Sequence, residues 1–489
     1  MITATLEHAA VETAHRLLYI GGDWREGDAG TTLPVEDPST GEVLCEVADA
    51  TPVDAVAALG AAAAAQPSWA RSSPRQRADI LGRASQEMSA RADELALVLT
   101  LEGGKPLSES LAEVAYAAEY LRFFAGEALR LDGACGRSPD GRGRVLVMRQ
   151  PVGPCLVITP WNFPLVMAGR AVAPALAAGC TLVVKSSRQT PLSTIALAGV
   201  LERAGLPSGV LNVIVSSSSG AVTTPLIADP RLRKLTFTGS TEVGRRLMAS
   251  AADRVLRVSM ELGGNAPFIV FEDADLEAAV EGAIVAKMRN CGQACTAANR
   301  FLVAEPVAGE FTARLSARMA GLRVGRGTEP GVQVGPLIDA DQCGRLEHLV
   351  DDALARGARV ATGSACTFGP GHFYSPTVLD RVPPDARLLR EELFGPVAPV
   401  ASFASEEEAV QAANDTDHGL AAFVYTRDLD RAIRIVEDLE TGMVGLNQGA
   451  VSNPMAPFGG VKASGVGRAG GPDGIEEYLE TKYVALAAR

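Results

Sequence analysis

Residues 155–215 read CLVITPWNFPLVMAGRAVAPALAAGCTLVVKSSRQTPLSTIALAGVLERAGLPSGVLNVIV and set the architecture of the chain. Short apolar runs at 155–159, 181–185 and 211–215 are separated by segments of helical length. Strands that alternate with helices are typical of an α/β fold with a parallel, doubly wound sheet. Such sheets bind ligands beyond the carboxyl ends of their strands. We therefore expect a nucleotide-binding domain in this part of the chain.

The alternation of strands and helices continues beyond this segment. KLTF (234–237) and VLRVSM (255–260) extend the first series. A second series predicts another α/β domain of similar build, with strands at FIV (268–270), RFLVA (300–304), VAPVASF (397–403), AFVYT (422–426) and MVGLN (443–447).

The remaining segments frame these two series. The first 30 residues have no clear pattern and predict a loosely ordered lead-in, followed by a short β region at 34–47. Residues 52–130 are rich in Ala, Leu and Glu with helical spacing, which predicts helices. Residues 131–144 are rich in Gly and Arg and predict a hairpin that leaves the first domain. The C-terminal TKYVALAAR predicts an edge strand.

Composition and charge exclude several classes of function. The 489 residues include 45 Lys and Arg against 58 Asp and Glu, a formal charge of −13, and no run is rich in Lys or Arg. Nucleic acids and anionic membranes are therefore not expected partners. No apolar run reaches the ~18 residues of a membrane-spanning helix. The N-terminal sequence lacks the basic and apolar regions of a secretion signal, so we expect a cytoplasmic location.

Cysteine and histidine usage argues against metal and disulfide chemistry. The eight Cys are scattered without a C-x2-C pair, and the five His show no metal-ligand spacing. We therefore expect no metal site, no disulfide framework and no histidine-based catalysis.

Three residues have the right type and context for catalysis. Cys295 follows a glycine in NCGQACTAANR (290–300), Glu261 ends an apolar strand just before Gly-Gly, and Asn162 follows the strand at 155–159. They suit a nucleophile, a general base and an oxyanion donor, respectively. Taken singly, each also fits an ordinary role: a buried structural thiol, a surface acid and a turn asparagine.

Two glycine-containing segments are candidate phosphate loops. FTGSTEVG (237–244) follows a strand and opens a helix, whose free N–H groups attract anions. GVGRAG (465–470) matches G-x-G-x-x-G, but no apolar strand precedes it, so we interpret it as a chance match.

The order of these motifs is far more specific than any one of them. Over nearly its whole length, the chain resembles the aldehyde dehydrogenase superfamily. The resemblance rests on TPWNFP (159–164), KSSRQTP (185–191), FTGSTEVG (237–244), MELGGNAP (260–267), GQAC (292–295), EELFGP (391–396) and APFGGVKASGVGR (456–468). It implies a Rossmann-type cofactor domain, an α/β catalytic domain and a small β extension for oligomerisation.

The resemblance also implies roles for individual residues. Cys295 would be the nucleophile, Glu261 the general base for deacylation and Asn162 the oxyanion donor. A nicotinamide cofactor would contact a further set of residues, in which Glu392 and Phe394 position the nicotinamide ribose and ring, Lys185 holds the adenosine ribose and Ser240 approaches the pyrophosphate. The other members of that set are Thr159, Pro160, Trp161, Ser187, Arg188, Gly239 and Leu262.

Within this superfamily, the chain is most similar to succinate-semialdehyde dehydrogenases, with which it shares GPLID (335–339) and SNPMAPFGGVKASG (452–465). That likeness implies that Arg170, Arg289 and Ser452 grip the distal carboxylate of the substrate. For the two arginines, the alternative is a helix-surface salt bridge. Another semialdehyde or an aliphatic aldehyde is the alternative substrate, and a non-catalytic scaffold protein is the alternative function.

One motif departs from the family pattern. Arg188 stands where relatives that prefer NAD usually carry Glu, and an arginine attracts the 2′-phosphate of NADP. We therefore predict NADP as the preferred cofactor, with NAD as the alternative; a solvent-exposed arginine without this role is the competing interpretation. A second departure is Cys291, for which we hypothesise a redox partnership with Cys295.

The resemblance implies boundaries and an assembly. Residues 1–130 and 150–260 would form the dinucleotide-binding domain and 261–455 the catalytic domain. Segments 131–149 and 470–489 would build a homodimer or a homotetramer.

Overall fold

The computed structural model describes residues 3–363 and 370–487. The strands are β1 (Leu18–Ile20), β2 (Asp23–Arg25), β3 (Thr32–Asp37), β4 (Glu42–Ala48), β5 (Ala134–Arg137), β6 (Gly143–Pro151), β7 (Cys155–Ile158), β8 (Leu182–Ser186), β9 (Leu211–Val215), β10 (Lys234–Thr238), β11 (Arg257–Glu261), β12 (Ala266–Val270), β13 (Ala298–Ala304), β14 (Arg359–Thr362), β15 (Thr377–Asp380), β16 (Val397–Phe403), β17 (His418–Gly419), β18 (Ala421–Tyr425), β19 (Met443–Leu446), β20 (Val461–Lys462), β21 (Gly465–Val466) and β22 (Leu479–Ala487).

The α-helices are α1 (Ala4–Thr13), α2 (Pro52–Ala70), α3 (Pro74–Ala90), α4 (Ala92–Gly103), α5 (Leu107–Glu127), α6 (Pro164–Ala178), α7 (Pro191–Arg203), α8 (Ser219–Ala228), α9 (Thr241–Ala252), α10 (Leu276–Met288), α11 (Glu305–Ala320), α12 (Ala340–Ala355), α13 (Glu406–Asn414), α14 (Leu429–Asp438) and α15 (Asp473–Glu476). Short 3₁₀ turns cover Arg289–Gly292 and Arg387–Leu389.

The first sheet is the predicted doubly wound sheet with additional edge strands. Its order is β2-β1-β9-β8-β7-β10-β11-β21, and β9, β8, β7, β10 and β11 run parallel. The chain winds from β7 outward to β9 on one side and then from β10 to β11 on the other. The carboxyl ends of β7 and β10 therefore lie at the switch point, where open α/β sheets bind ligands.

The second series of strands forms a separate sheet with the order β14-β15-β16-β13-β12-β18-β19. All neighbouring strands in it are parallel except the β14–β15 pair. The predicted hairpin is β5–β6, and β22 pairs with β6 along its full length to complete a three-stranded sheet. The α/β architecture expected from the sequence is therefore confirmed, while the domain boundaries stay a prediction.

The prediction of a loosely ordered lead-in is wrong. Residues 4–13 form α1, and β1 extends the first sheet by pairing antiparallel to β9. All three residues of β1 are buried, and His15 stacks on Trp24 with ring centroids 4.0 Å apart. Strands of three residues are too short to show a periodic pattern, which explains the error.

Packing around the first sheet fixes the helices that carry the site. Every residue of α6 is buried, as are all five residues of β8 and all five of β9. Helix α9 begins where the Ser240 side chain accepts a hydrogen bond from the N–H of Val243. Within residues 3–363 and 370–487, no helix is both long and apolar enough to cross a membrane.

Candidate active site

A cavity of about 210 Å³ lies at the switch point of the first sheet. It is bounded by the loops after β7, β10 and β11, by the loop before β13 and by α12. Its lining residues are Pro160, Trp161, Asn162, Met167, Thr238, Gly239, Ser240, Glu261, Leu262, Gly263, Cys295, Gln342, Arg345, Glu392 and Phe394. The structure thus brings the three catalytic candidates together with seven of the predicted cofactor residues.

Cys295 lies on a tightly held loop before β13. Asn290, Cys291 and Gly292 have positive φ angles of 51°, 55° and 75°. The side chain of Gln293 holds this turn, because its Oε1 accepts from the N–H of Ile338 at 2.9 Å while its Nε2 donates to the carbonyl of Asn290 at 3.2 Å. The thiol is partly exposed in the cavity.

The electrostatic surroundings of Cys295 act in two directions. Burial raises the pKa of its thiol to about 12, and Glu392 and Glu261 add to this rise. The positive charges of Arg170 and Arg289 lower the pKa. The two arginines therefore favour the thiolate, which is the nucleophilic form of cysteine.

Glu261 ends β11 with its carboxyl group in the cavity and only 6% exposed. Its Oε2 is buried without a hydrogen-bond partner. Burial raises the pKa of this carboxyl to about 8, although Arg170 and Arg468 lower it. A buried carboxyl group with a free oxygen and a pKa near neutrality suits a general base that acts on water.

Asn162 follows β7, and its side chain points toward the cysteine loop. Its Nδ2 donates to the carbonyl of Gln293 at 3.1 Å, and its Oδ1 is buried without a partner. An amide nitrogen carries two N–H groups, so one donor remains for a ligand in the cavity.

Glu392 and Phe394 form one wall of the cavity. Glu392 Oε1 accepts from the N–H of Gly264 at 3.2 Å, and the ring of Phe394 lies 5.3 Å from that of Trp161, edge to face. Burial raises the pKa of Glu392 to about 7. Phe394 lines the cavity and has a positive φ of 54°, a strained backbone conformation of the kind that clusters at functional sites.

Helix α12 contributes two residues that the sequence motifs did not reveal. Gln342 Nε2 donates to the carbonyls of Leu393 and Phe394, both at 3.0 Å, and Arg345 donates to the carbonyl of Glu392 at 2.8 Å. They hold the loop at 392–394 in place and also line the cavity. No local motif marks them, because they sit on an ordinary amphipathic helix far away in sequence.

The other end of the cavity suits a dinucleotide. Thr238, Gly239 and Ser240 lead into α9, whose first turn presents N–H groups and a positive dipole end to an anion. A Cβ at Gly263 would come within 2.9 Å of Glu392 Oε2, so a glycine there lets this carboxylate approach the main chain closely. These residues fit the nicotinamide cofactor that the sequence resemblance implied.

The remaining predicted cofactor residues lie beside this cavity. Lys185 is 4% exposed in β8, and burial together with nearby Arg188 lowers its pKa to about 8. The N–H of Thr159 donates to the carbonyl of Lys185 at 3.2 Å. Ser187 Oγ donates to Gln189 Oε1 at 2.7 Å. Arg188 is exposed and lines a second cavity of about 270 Å³ with Gln189 and Ser217 among its other residues.

The predicted carboxylate clamp is divided between two places. Arg289 and Ser452 line a third cavity, of about 300 Å³, next to the ring of Phe163. Arg170 is 5% exposed, with its guanidinium 3.9 Å from the ring centroid of Phe458. Its Nε and Nη1 have no hydrogen-bond partner. Its buried charge is close enough to Cys295 and Glu261 to affect both pKa values.

Cys291 is 2% exposed, and burial raises the pKa of its thiol. Glu109 and Cys343 add to this rise, whereas Lys287 opposes it, and the redox partnership with Cys295 stays a hypothesis. Among the residues that the structure describes, no group of three or more His, Cys, Asp or Glu side chains could hold a metal ion.

The profile of the aldehyde dehydrogenase family matches residues 24–484. The chain belongs to the aldehyde dehydrogenase family. Succinate-semialdehyde dehydrogenase of Paenarthrobacter nicotinovorans is 56% identical over 91% of this chain and 99% of its own length. Glutarate-semialdehyde dehydrogenase of Pseudomonas aeruginosa is 48% identical over 96% of this chain and 97% of its own. A crystal structure titled as an E. coli NADP dependent enzyme superposes with a TM-score of 0.96 at 45% identity, covering 97% of this chain and 98% of that one.

These comparisons confirm the aldehyde dehydrogenase fold and identify the protein as an oxidoreductase. They leave the roles of individual residues as predictions, which the geometry of the cavity supports.

Proposed function

We propose that this aldehyde dehydrogenase oxidises succinate semialdehyde to succinate with NADP as the preferred hydride acceptor. The observation that carries the proposal is one cavity in which Cys295, Glu261 and Asn162 face Glu392, Phe394 and the start of α9. A nucleophile, a base and an oxyanion donor are thereby placed beside a surface suited to a nicotinamide dinucleotide.

The first half of the reaction uses Cys295 and Asn162. The thiolate of Cys295 attacks the aldehyde carbon and forms a thiohemiacetal. The free N–H of Asn162 and the main-chain N–H of Cys295 stabilise the oxyanion, a contribution of about 3 kcal/mol for each donor. Glu392, Phe394 and the start of α9 would hold NADP, which would supply the hydride acceptor for oxidation of the thiohemiacetal to a thioester.

The second half uses Glu261. Its ionised form takes a proton from a water molecule, which then hydrolyses the thioester and releases the acid. Because burial raises the pKa of Glu261 to about 8, this base becomes available as the pH rises through that value. A relative that transfers the acyl group to coenzyme A has no need of such a base.

Buried positive charge supports an anionic substrate. Arg170 stacks on Phe458, but two of its buried nitrogens have no hydrogen-bond partner, and such donors lower stability unless a ligand accepts from them. Arg289 and Ser452 face a cavity in which a second carboxylate contact is available. Two similar proteins are named for succinate semialdehyde and glutarate semialdehyde, both of which carry a terminal carboxylate. Glutarate semialdehyde is therefore the second candidate substrate.

The preference for NADP rests on Arg188. Its side chain is exposed beside Lys185, at the end of β8 where the adenosine ribose is proposed to bind. Two neighbouring cations attract a 2′-phosphate and leave the 2′-hydroxyl of NAD without an acidic partner. The E. coli structure with the same fold is titled as NADP dependent. NAD remains the weaker alternative.

We also propose that the protein is cytoplasmic and forms a homodimer or a homotetramer. Its binding partner is a small-molecule aldehyde, and it binds neither nucleic acid nor a membrane. The sheet formed by β5, β6 and β22 supports this assembly, because Met148, Tyr483 and Leu486 on its strands are exposed apolar residues.

The test is product formation by the purified protein. With succinate semialdehyde and NADP, we expect one reduced cofactor for each succinate formed, and we expect Cys295→Ser to form neither. A wild-type protein that leaves succinate semialdehyde unoxidised, or that oxidises glutarate semialdehyde far faster, would contradict the proposal.

A further inference from the structure

Lys105 is a buried cation outside the proposed catalytic groups. It lies in the loop between α4 and α5, and its side chain is 1% exposed. Its Nζ donates to Glu113 Oε2 at 2.5 Å and to the main-chain carbonyl of Asn162 at 2.6 Å. The same nitrogen lies 4.2 Å from the ring centroid of Phe163. A desolvated ammonium group needs such partners, and two of the three belong to the loop that carries the oxyanion donor.

Glu113 connects this lysine to the helix that follows Asn162. Its Oε1 accepts from the N–H groups of Leu165 and Val166, at 3.0 and 3.3 Å, in the first turn of α6. A carboxylate at this position satisfies free N–H groups and opposes the positive end of the helix dipole. Residues 162–166 are therefore held from one side by a single buried ion pair.

The loop that carries Cys295 also binds the main-chain carbonyl of Asn162, from the side opposite Lys105. Asn290 Nδ2 donates to the carbonyl of Asn162 at 2.9 Å, and the main-chain N–H of Asn290 donates to Glu109 Oε2 at 2.6 Å. The Asn162 side chain returns a hydrogen bond to the carbonyl of Gln293. The carbonyl oxygen of Asn162 thus joins the loop between α4 and α5, the loop after β7 and the loop that carries the nucleophile.

We propose that Lys105 and Glu113 are positioning residues that set the distance between the Asn162 amide and the main-chain N–H of Cys295. The proposal rests on the proposed role of Asn162 as oxyanion donor. An oxyanion site requires its donors at hydrogen-bond distance from the developing charge, and a displacement of about 1 Å can cost about 100-fold in rate. Lys105 acts through Asn162 and not on the substrate.

The test is a double-mutant cycle on the first turnover, measured as the rate of the burst of reduced cofactor with succinate semialdehyde and NADP. We expect Lys105→Met and Asn162→Ala each to slow the burst, Asn162→Ala by about 100-fold. The double variant should be no slower than Asn162→Ala, because both changes remove the same function. KM should change little in either single variant.

Alkylation of Cys295 by iodoacetamide separates positioning from general damage. This displacement forms no oxyanion, so Lys105→Met should be alkylated at the wild-type rate. Lys234→Met is the matched control, since Lys234 is a fully buried lysine whose Nζ pairs with Ser259 and Glu477 instead. It should lower the melting temperature while leaving the burst rate unchanged.

Glu113→Gln keeps the volume of the side chain and an oxygen that accepts from the N–H groups at the start of α6. This variant replaces Lys105→Met in the double-mutant cycle if Lys105→Met fails to fold. A double variant whose loss is the product of the two single losses would overturn the positioning role, and so would slowed alkylation or an equally slow Lys234→Met. If Asn162→Ala alone leaves the burst rate unchanged, the proposed function of Asn162 is wrong instead.

Discussion

Two buried carboxyl groups of this enzyme differ in how they are paired. Glu261 Oε2, beside the catalytic cavity, has no hydrogen-bond partner. Glu102, in the last turn of α4, is fully buried, yet its oxygens accept from the N–H groups of Leu192 and Ser193 at the start of α7, at 2.8 and 2.9 Å, and from the Ser193 hydroxyl. Burial raises the pKa of both groups, to about 8 and about 7.

The arginines show the same difference. Arg170 leaves two nitrogens unpaired near the cavity, whereas Arg300 donates to the carbonyls of Asn265, Ala412 and Ala413. Buried polar atoms are nearly always paired, because an unpaired one lowers stability. We therefore propose that the paired charges stabilise the fold, while the unpaired atoms of Glu261 and Arg170 interact with water and substrate.

The largest expected effect comes from replacing the two carboxyl groups in turn. Glu261→Gln should lower steady-state turnover by about 1,000-fold, since no base remains for deacylation, while the first burst of reduced cofactor persists. Its melting temperature should hold or rise. Glu102→Gln should lower the free energy of unfolding by about 1–3 kcal/mol and leave turnover within a few-fold.

Stopped-flow kinetics and thermal unfolding of both variants check this contrast. A Glu261→Gln enzyme that keeps turning over, or one that also loses its burst, would break the assignment of Glu261 to deacylation.

Arg170→Met should have the next largest effect, and it should be greatest on anionic substrates. We expect kcat/KM for succinate semialdehyde to fall by about 100-fold, near 3 kcal/mol, because the distal carboxylate would lose a buried cation. Butanal should lose much less, because with this substrate only the effect of Arg170 on the Cys295 thiolate is removed. Arg300→Met, the paired control, should destabilise the protein instead. Equal losses for both aldehydes would return Arg170 to a structural role.

Arg188→Glu tests a charge that is exposed, in contrast to the buried groups compared above. Its stability effect should be negligible, as for most exposed side chains. The ratio of kcat/KM with NADP to that with NAD should fall by tens of fold, because the new carboxylate repels a 2′-phosphate and accepts from a 2′-hydroxyl. Steady-state rates with the two cofactors measure this ratio. If both cofactors lose equally, Arg188 does not select between them.

The smallest effect is on the pH dependence of stability. An unfolded glutamate has a pKa of about 4.3, and the folded pKa values of Glu261 and Glu102 are about 8 and about 7. The folded state therefore binds these protons more tightly, so their stabilisation is full below about pH 4 and is lost as the pH rises to the folded pKa. Relative to wild type, Glu261→Gln should flatten the fall in melting temperature between about pH 7 and 8, and Glu102→Gln should not.

The sequence predicted much of the fold, because its strands are short apolar runs between helices. Strand 397–403 was predicted with its observed bounds, and Ser240 was expected to open a helix that indeed begins at Thr241. The strands at 18–20 and 23–25 were missed, since three residues are too few to show a periodic pattern and the burial of the first strand depends on pairing with β9 and β2.

Only those residues of the candidate site that lie within sequence motifs were predicted. Cys295, Glu261 and Asn162 stand in recognisable contexts, and the structure places all three around one cavity. Lys105 and Gln342 stand in no such context, because their effect depends on hydrogen bonds to main-chain carbonyls that are distant in sequence. Positions of this kind become visible only when the tertiary contacts are known.

The most direct test of the account is the specificity of the wild-type enzyme for an anionic aldehyde, measured as kcat/KM with NADP for succinate semialdehyde and for butanal. Unpaired buried arginine near the nucleophile predicts a preference of at least about 100-fold for succinate semialdehyde. If butanal is oxidised as efficiently, the unpaired charges are not there for the substrate, and the central claim is contradicted.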